Sequence, residues 1–184
     1  MPEMLDLSRY IRPGDGVWWG QGGAEPEPLV NALLDQADAI GPVRAFCGLT
    51  WNERLAGPLP GGLTLLSYGA LGLLRELSRQ GGLEVVPCHY SALPRLFARR
   101  MLPCDVGLLQ VSAPDDDGMV SLGIGVEYVA DALRYTPTLI AEVNRQMPRT
   151  RGAGRLPLSA FAATVETDRP LREAAAGEPD AADQ

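Results

Sequence analysis

Val111-Ser-Ala-Pro-Asp-Asp-Asp-Gly-Met-Val-Ser-Leu-Gly123 is the stretch from which the fold can be read outward. The run that enters it, Val106 to Val111, is dry enough to be a strand buried on both faces, and it stops at Ser112. Pro114, three consecutive acids and Gly118 are turn chemistry; a short apolar step, Met119-Val120, then leads into Ser121-Leu122-Gly123. Beyond it, Val126, Val129, Ala130 and Leu133 fall at i, i+3, i+4, i+7, which predicts a helix. A second buried strand, Thr138 to Val143, closes the unit and delivers Asn144, Pro148 and Arg149 at its far end. Strand, loop, helix and strand in that order form the repeating unit of a parallel sheet.

The same alternation runs through the rest of the chain. Leu5 to Ile11 predicts a short helix, ended by Pro13-Gly14-Asp15-Gly16, and Val17-Trp18-Trp19 a first strand. The turn Gly20-Gln-Gly-Gly-Ala-Glu-Pro26 follows, then a helix with Pro28 in its first turn and a core stripe of Val30, Leu33, Leu34 and Ala37. Strands are expected at Val43 to Leu49, Leu63 to Ser67 and Leu83 to Val86, with Thr50 to Gly62 irregular. Helices are expected from Ala70 to Gln80, stopped by Gly81-Gly82, and after Ser91 as N-cap, carrying Leu93, Leu96 and Phe97. Ala162 to Glu166 reads as an edge strand. The fold class is therefore α/β: a three-layer, mostly parallel open sheet with helices on both faces.

Composition narrows the chemistry. The chain has 184 residues, 46% of them apolar, enough for one substantial core and one domain, 1–171. Residues 172–184 are rich in Ala, Gly, Pro and acid and read as a linker or tail. No apolar run approaches the roughly 20 residues of a membrane span, and no basic-then-apolar leader opens the sequence, so a soluble, cytoplasmic protein with no membrane partner is expected. A net charge of -7 argues against nucleic acid. All sixteen basic residues are arginine, so this chain supplies neither a Schiff-base lysine nor a P-loop lysine. Cys47, Cys88 and Cys104 lack zinc-ligand or disulfide-framework spacing and are expected reduced and buried.

In open parallel sheets ligands bind beyond the carboxyl ends of the strands. Gln21 to Gly23, His89 with Ser91, Ser112 to Gly118, and Asn144 to Arg149 should all meet at that rim. The glycine turn at Gln21 to Gly23 sits between a strand and a helix, where backbone N–H groups can hold an anion or oxyanion. A Ser-His-Asp triad would have to pair His89, the one histidine, with Ser91, Ser112 or Ser121, and none of these lies in a G-x-S-x-G elbow. Asp115 to Gly118 lacks the alternating ligands and distal glutamate of a calcium loop, so a solvated turn is expected and no metal site. Glu142, inside an apolar strand, requires a partner; a structural link to an arginine is the favoured reading over catalysis.

Four linked motifs resemble the N-terminal domain of the acetyl-CoA hydrolase/transferase family, the class I CoA-transferases that include acetate, propionate, butyrate and 4-hydroxybutyrate CoA-transferases. They are Ile11-Arg-Pro-Gly-Asp-Gly-Val17 with Gly20 to Pro26, Val86-Pro-Cys-His-Tyr-Ser-Ala-Leu-Pro-Arg-Leu-Phe97, Leu109 to Gly123, and Ala141-Glu-Val-Asn-Arg-Gln-Met-Pro-Arg-Thr150. The resemblance covers about Tyr10 to Leu171 and implies the NagB/RpiA-like CoA-transferase domain fold. It further implies CoA transfer between an acyl-CoA and a small carboxylic acid through a glutamyl-CoA thioester, with coenzyme A as substrate and no cofactor. The nucleophilic glutamate is expected on a C-terminal domain or partner chain; none is expected in this one, and Glu142 matches a position that is not the nucleophile. Gln21, Gly22 and Gly23 would line the acyl and oxyanion side; His89, Ser91, Ser121, Gly123, Asn144 and Arg149 would shape the rim. After Thr150 the family continues with a His-Gly-Asp-like turn where this chain has Arg151-Gly-Ala-Gly154, so contacts made by that turn do not carry over. An apolar docking face and an oligomer are implied as well. The rival readings are a non-catalytic binding or scaffolding module of the same fold, and an acyl-CoA hydrolase.

Overall fold

A computed structural model describes residues 5–174. Seven strands form one sheet: β1 Gly16–Trp19, β2 Val43–Phe46, β3 Leu63–Ser67, β4 Leu83–Val85, β5 Val106–Ser112, β7 Thr138–Asn144 and β9 Ala163–Thr167. Their order is β4-β3-β2-β1-β5-β7-β9, and every neighbouring pair is parallel. β6, Met119–Ser121, and β8, Arg155–Pro157, pair separately as a short antiparallel ribbon.

Side-chain alternation along the strands builds two cores. Val17, Trp19, Val43, Ala45, Leu65, Val106, Leu108 and Ile140 point to one face, where helix α1, Glu27–Ile40, lays down Leu29, Val30, Leu33 and Ala37 and helix α2, Leu74–Arg79, adds Leu74 and Leu77. Trp18, Phe46, Leu109, Val111, Ala141 and Val143 point to the other, covered by α3, Leu93–Ala98, and α4, Val129–Ala132. Helices on both faces of a parallel sheet give the three-layer architecture, and explain why β5 and β7 are buried almost throughout. On the second face Trp18, Phe46, Phe97 and Tyr128 pack edge to face or stacked with ring centroids 5.6 to 6.4 Å apart.

Several expected helices are shorter than their apolar periodicity. The segment from Ala70 becomes helical only at Leu74, because Gly72 takes φ +54. Helix α4 is a single turn that continues as a 3-10 turn over Leu133–Tyr135; Glu127 at φ +21 delays its start, so Val126 lies outside it. Ser91 is not the N-cap of α3: it lies within a 3-10 turn, Tyr90–Ala92, and α3 starts after Ala92 with no side-chain cap. The first helix is one 3-10 turn, Leu7–Arg9, capped by Asp6. Val43 to Leu49 is strand only to Phe46, the loop Arg151–Arg155 ends by entering β8, and Cys88 is half-buried rather than buried. Of the expected linker, residues 175–184 lie outside the described residues.

Candidate functional site at the carboxyl ends of the strands

From β1 the chain builds β2, β3 and β4 in one direction, then crosses to β5 on the other side of β1. The order reverses between β1 and β5, so the loops leaving their carboxyl ends diverge and leave a crevice. The Gly20 to Pro26 turn leaves β1, and the Ala113 to Gly118 turn leaves β5.

The glycine turn is held from several sides. Gly22 takes φ +56 and its N–H donates to the Leu49 carbonyl at 2.8 Å, which leaves the Gly23 N–H as the amide of the pair without a partner among the described residues. A Cβ on Gly23 would stand 2.8 Å from the Arg172 carbonyl oxygen, and one on Gly125 2.2 Å from Ala24 Cβ. These close approaches press the Leu122 to Gly125 segment and the chain after β9 against the turn. The Gln21 side-chain oxygen accepts from Leu49 N–H and Tyr68 Oη, both at 3.0 Å, and its amide donates to the Glu127 carboxylate. Tyr90 Oη also donates to Glu127 at 3.4 Å and accepts from Tyr128 N–H at 3.3 Å. Burial, and then Glu127, pushes the Tyr90 hydroxyl up to about 12, so it stays a donor at neutral pH.

Beneath the turn lies a buried polar ladder. The Glu25 carboxyl accepts from Trp19 Nε1 at 3.0 Å, Thr50 Oγ1 at 2.8 Å and Trp51 N–H at 3.4 Å. Burial pushes it up to about 7 against the pull of those donors. The Glu25 backbone carbonyl accepts from Gln110 Nε2 and from Arg169 Nη2, each at 2.9 Å. Gln110, Glu142 and Asn144 stand on one face of adjacent strands, and Asn144 donates to Gln110 Oε1 at 3.3 Å. Glu142, fully buried, takes a two-pronged ion pair from Arg169 at 2.6 and 2.9 Å and a hydrogen bond from Thr167 at 2.7 Å. The arginine partner expected for Glu142 is Arg169, and the pair links β7 to the segment after β9.

Ser121, Gly123 and Asn144 join the same rim. Ser121 Oγ accepts from the N–H groups of Gly123 and Thr150, each at 3.1 Å, and lies 3.1 Å from both the Thr150 carbonyl and its hydroxyl. Gly123 takes φ +59, and a Cβ there would lie 2.1 Å from Met147 Sδ. Asn144 accepts from the N–H groups of Gln146 and Arg169 at 3.1 and 3.2 Å and donates to the Arg169 carbonyl at 2.9 Å. Arg149 clamps the turn after β5: it ion-pairs with Asp115 at 3.0 Å and donates to the carbonyls of Ala113 and Met119. The Met119 N–H, and then Arg155, holds the Asp115 carboxyl below its usual range. His89 and Ser91 are exposed, and their side chains make no hydrogen bond among the described residues; the neighbouring Tyr90, not they, reaches the Gln21–Glu127 pair.

With the glycine turn at the β1/β5 crevice, the Leu122 to Gly125 segment packed against it and Asn144 linked to it through Gln110, the chain can be compared with known proteins. Residues 3–166 match the model of the acetyl-CoA hydrolase/transferase N-terminal domain. The chain belongs to this family. Among its relatives, the 4-hydroxybutyrate coenzyme A transferase of Clostridium kluyveri is 38% identical over 157 residues, 81% of this chain and 35% of that protein. The succinyl-CoA:acetate/propanoyl-CoA:succinate CoA transferase of Fasciola hepatica is 26% identical over 171 residues, 89% and 35% of the two chains. The crystal structure of RipA from Yersinia pestis superposes with a TM-score of 0.83 at 29% identity, covering 95% of this chain and 42% of that one. The chain thus spans about a third of the length of the curated relatives it matches.

Glu25, Tyr68, Tyr90, Glu127 and Arg169, whose side chains tie the glycine turn to its neighbours, are not singled out by the sequence alone. A signal existed for Glu25, since a buried Trp19 needs an acceptor for its indole N–H and the acid lies six residues on. Tyr68, Tyr90 and Glu127 meet only through tertiary packing. Among the described residues no helix is long and apolar enough to cross a membrane.

Proposed function

We propose that this chain is the acyl-substrate half of a CoA-transferase that moves CoA between an acyl-CoA and a small carboxylic acid, with the nucleophilic glutamate on a C-terminal domain or partner chain. The observation that supports this reading is the glycine turn after β1, with the Gly23 N–H unpartnered among the described residues, at the point where the strand order reverses, in a chain of this family. Domain 1–171 supplies the cradle. Ile124 and Tyr90 are 48% and 42% exposed beside this rim, which suits a face that another domain covers.

In the reaction, the partner's glutamate carboxylate attacks the acyl thioester, forming an acyl-glutamyl anhydride and releasing CoA thiolate. The thiolate attacks the glutamyl carbonyl, which frees the first carboxylate and leaves glutamyl-CoA. A second carboxylate reverses these steps and departs as the new acyl-CoA, with the glutamate regenerated. Each attack develops an oxyanion, and the Gly23 N–H, in a turn held by Gln21, Gly22 and the Glu25 carbonyl contacts, is the donor this chain offers it. Glu127 and Tyr90, with His89, Ser91, Ser121, Asn144 and Arg149, bound the crevice or fix its loops. Substrates are acyl-CoA and carboxylate, and no cofactor enters any step.

Mixing the chain with a C-terminal domain of the family and following transfer of CoA from acetyl-CoA to a labelled carboxylate tests the reading. Transfer that needs both parts is expected. Release of free CoA without an acceptor would make the protein a hydrolase, and absence of both activities would favour a binding module.

A further inference from the structure

On the same side of the sheet a cavity of about 490 Å³ opens between the turn after β5, the ribbon β6/β8 and the loop after β7. Asp115, Ser121, Arg149, Thr150, Arg151 and Arg155 line it. Three arginines and one acid therefore line this cavity, in a chain whose net charge is -7. A local positive field of this kind in an acidic protein needs a reason, because most of the surface repels anions.

The three arginines are not equivalent. Arg149 has both terminal nitrogens engaged by Asp115 and by the carbonyls of Ala113 and Met119. Arg155 reaches Asp115 at 2.9 Å and Asp117 at 3.4 Å through one nitrogen, Nη2, so its Nε and Nη1 have no partner among the described residues. Arg151 forms no ion pair or side-chain hydrogen bond among the described residues. Among the residues lining the cavity, Arg151 thus has its whole guanidinium unengaged and Arg155 part of its own, beside the hydroxyl-bearing Ser121 and Thr150.

We propose that this cavity binds a phosphate group, with Arg151 and Arg155 as its ligands. A carboxylate has two oxygens and is saturated by one guanidinium fork; a phosphate presents three oxygens and up to two charges, and two forks can take two of its edges. The volume exceeds that of the ion, which fits a phosphate carried on a larger molecule. Resting on the CoA-transferase reading, that molecule is coenzyme A, whose nucleotide end carries a phosphomonoester and a pyrophosphate. Arg149 and Asp115 are positioning residues here: they hold the turn from which the cavity wall is built.

Isothermal titration of the chain with adenosine 3′,5′-bisphosphate, inorganic phosphate and succinate tests this without any acyl chemistry. The bisphosphate is expected to bind saturably and more tightly than phosphate, and succinate not to compete with it. Arg151→Ala should weaken the bisphosphate about tenfold or more, and Arg151→Lys, which keeps the charge and loses the fork, by less. Arg151 is exposed, so an unchanged thermal transition in both variants will show that folding is not the cause. Failure of the bisphosphate to bind, equal affinity for succinate, or an unchanged affinity in Arg151→Ala would overturn the proposal. Loss of CoA transfer with phosphate binding intact would instead remove the transferase reading and leave the phosphate site standing.

Discussion

Arg169, beyond the last strand of the sheet, closes a two-pronged ion pair on Glu142 in the middle of β7 while donating to the Glu25 carbonyl above it. One side chain therefore ties the chain's exit segment, the sheet interior and the glycine turn together. Glu142 is wholly buried, so removing its partner leaves a carboxylate with no countercharge. Arg169→Met should destabilise the fold by about 3 kcal/mol or more. Urea unfolding at neutral pH measures this, and Glu142→Gln, which removes the buried charge, should restore part of the loss in the double variant. Additive losses would show that the two residues are not coupled.

Glu25 gives the fold a pH dependence of calculable sign. Its folded carboxyl titrates near 7, above the ordinary value of 4.5, so the folded state binds the proton more tightly than the unfolded one. That contribution is fully present below about pH 4.5 and is lost as pH rises through about 7. Across the window it amounts to roughly 3 kcal/mol. Glu25→Gln keeps an acceptor for Trp19 and Thr50 and should flatten this part of the stability profile between pH 4.5 and 7. A slope unchanged by the substitution would place the titration elsewhere.

Gly123 and Gly118 both have positive φ, +59 and +71, but a Cβ would meet Met147 Sδ at 2.1 Å and the Pro148 carbonyl at 2.9 Å in the first and nothing within 4 Å in the second. Gly118→Ala should cost about 1 kcal/mol, the conformational penalty alone. Gly123→Ala should cost about 2 kcal/mol or more, since the Thr150 and Met147 loops must shift as well. Denaturation midpoints of the two variants, measured side by side, check the difference.

The His89 and Ser91 side chains are exposed and make no hydrogen bond among the described residues, which separates stability from function there. His89→Ala and Ser91→Ala should each change stability by less than about 0.5 kcal/mol. If they border the substrate, each should lower CoA transfer in the reconstituted protein at least about threefold. Unchanged turnover in both would remove them from the rim.

The layered fold was legible because the central strands are buried and glycine or proline follows each within a few residues; Leu63 to Ser67 was readable to the residue since Gly62 and Gly69 bracket it. Helix lengths were not, because periodicity is blind to the backbone at Gly72 and Glu127, where positive φ interrupts the pattern. Strand order was equally hidden: alternation specifies that β1 and β5 lie in a sheet, whereas only the folded chain shows them side by side with the reversal between them. The site follows the same division. The turns at Gln21, Ser121 and Asn144 were readable as turns after strands, but the partners that hold them, Arg169 for Glu142 and Glu127 for Gln21, lie 27 and 106 residues away. β6 and β8, three residues each, carry no period at all.

The location of covalently bound CoA tests the central claim most directly. Incubating the chain with acetyl-CoA, alone and with a C-terminal domain of the family, and then mapping CoA thioesters by intact-mass and peptide mass spectrometry resolves which polypeptide is attacked. CoA is expected on a glutamate of the C-terminal domain, and only when both parts are present; a CoA thioester on this chain by itself would contradict the account.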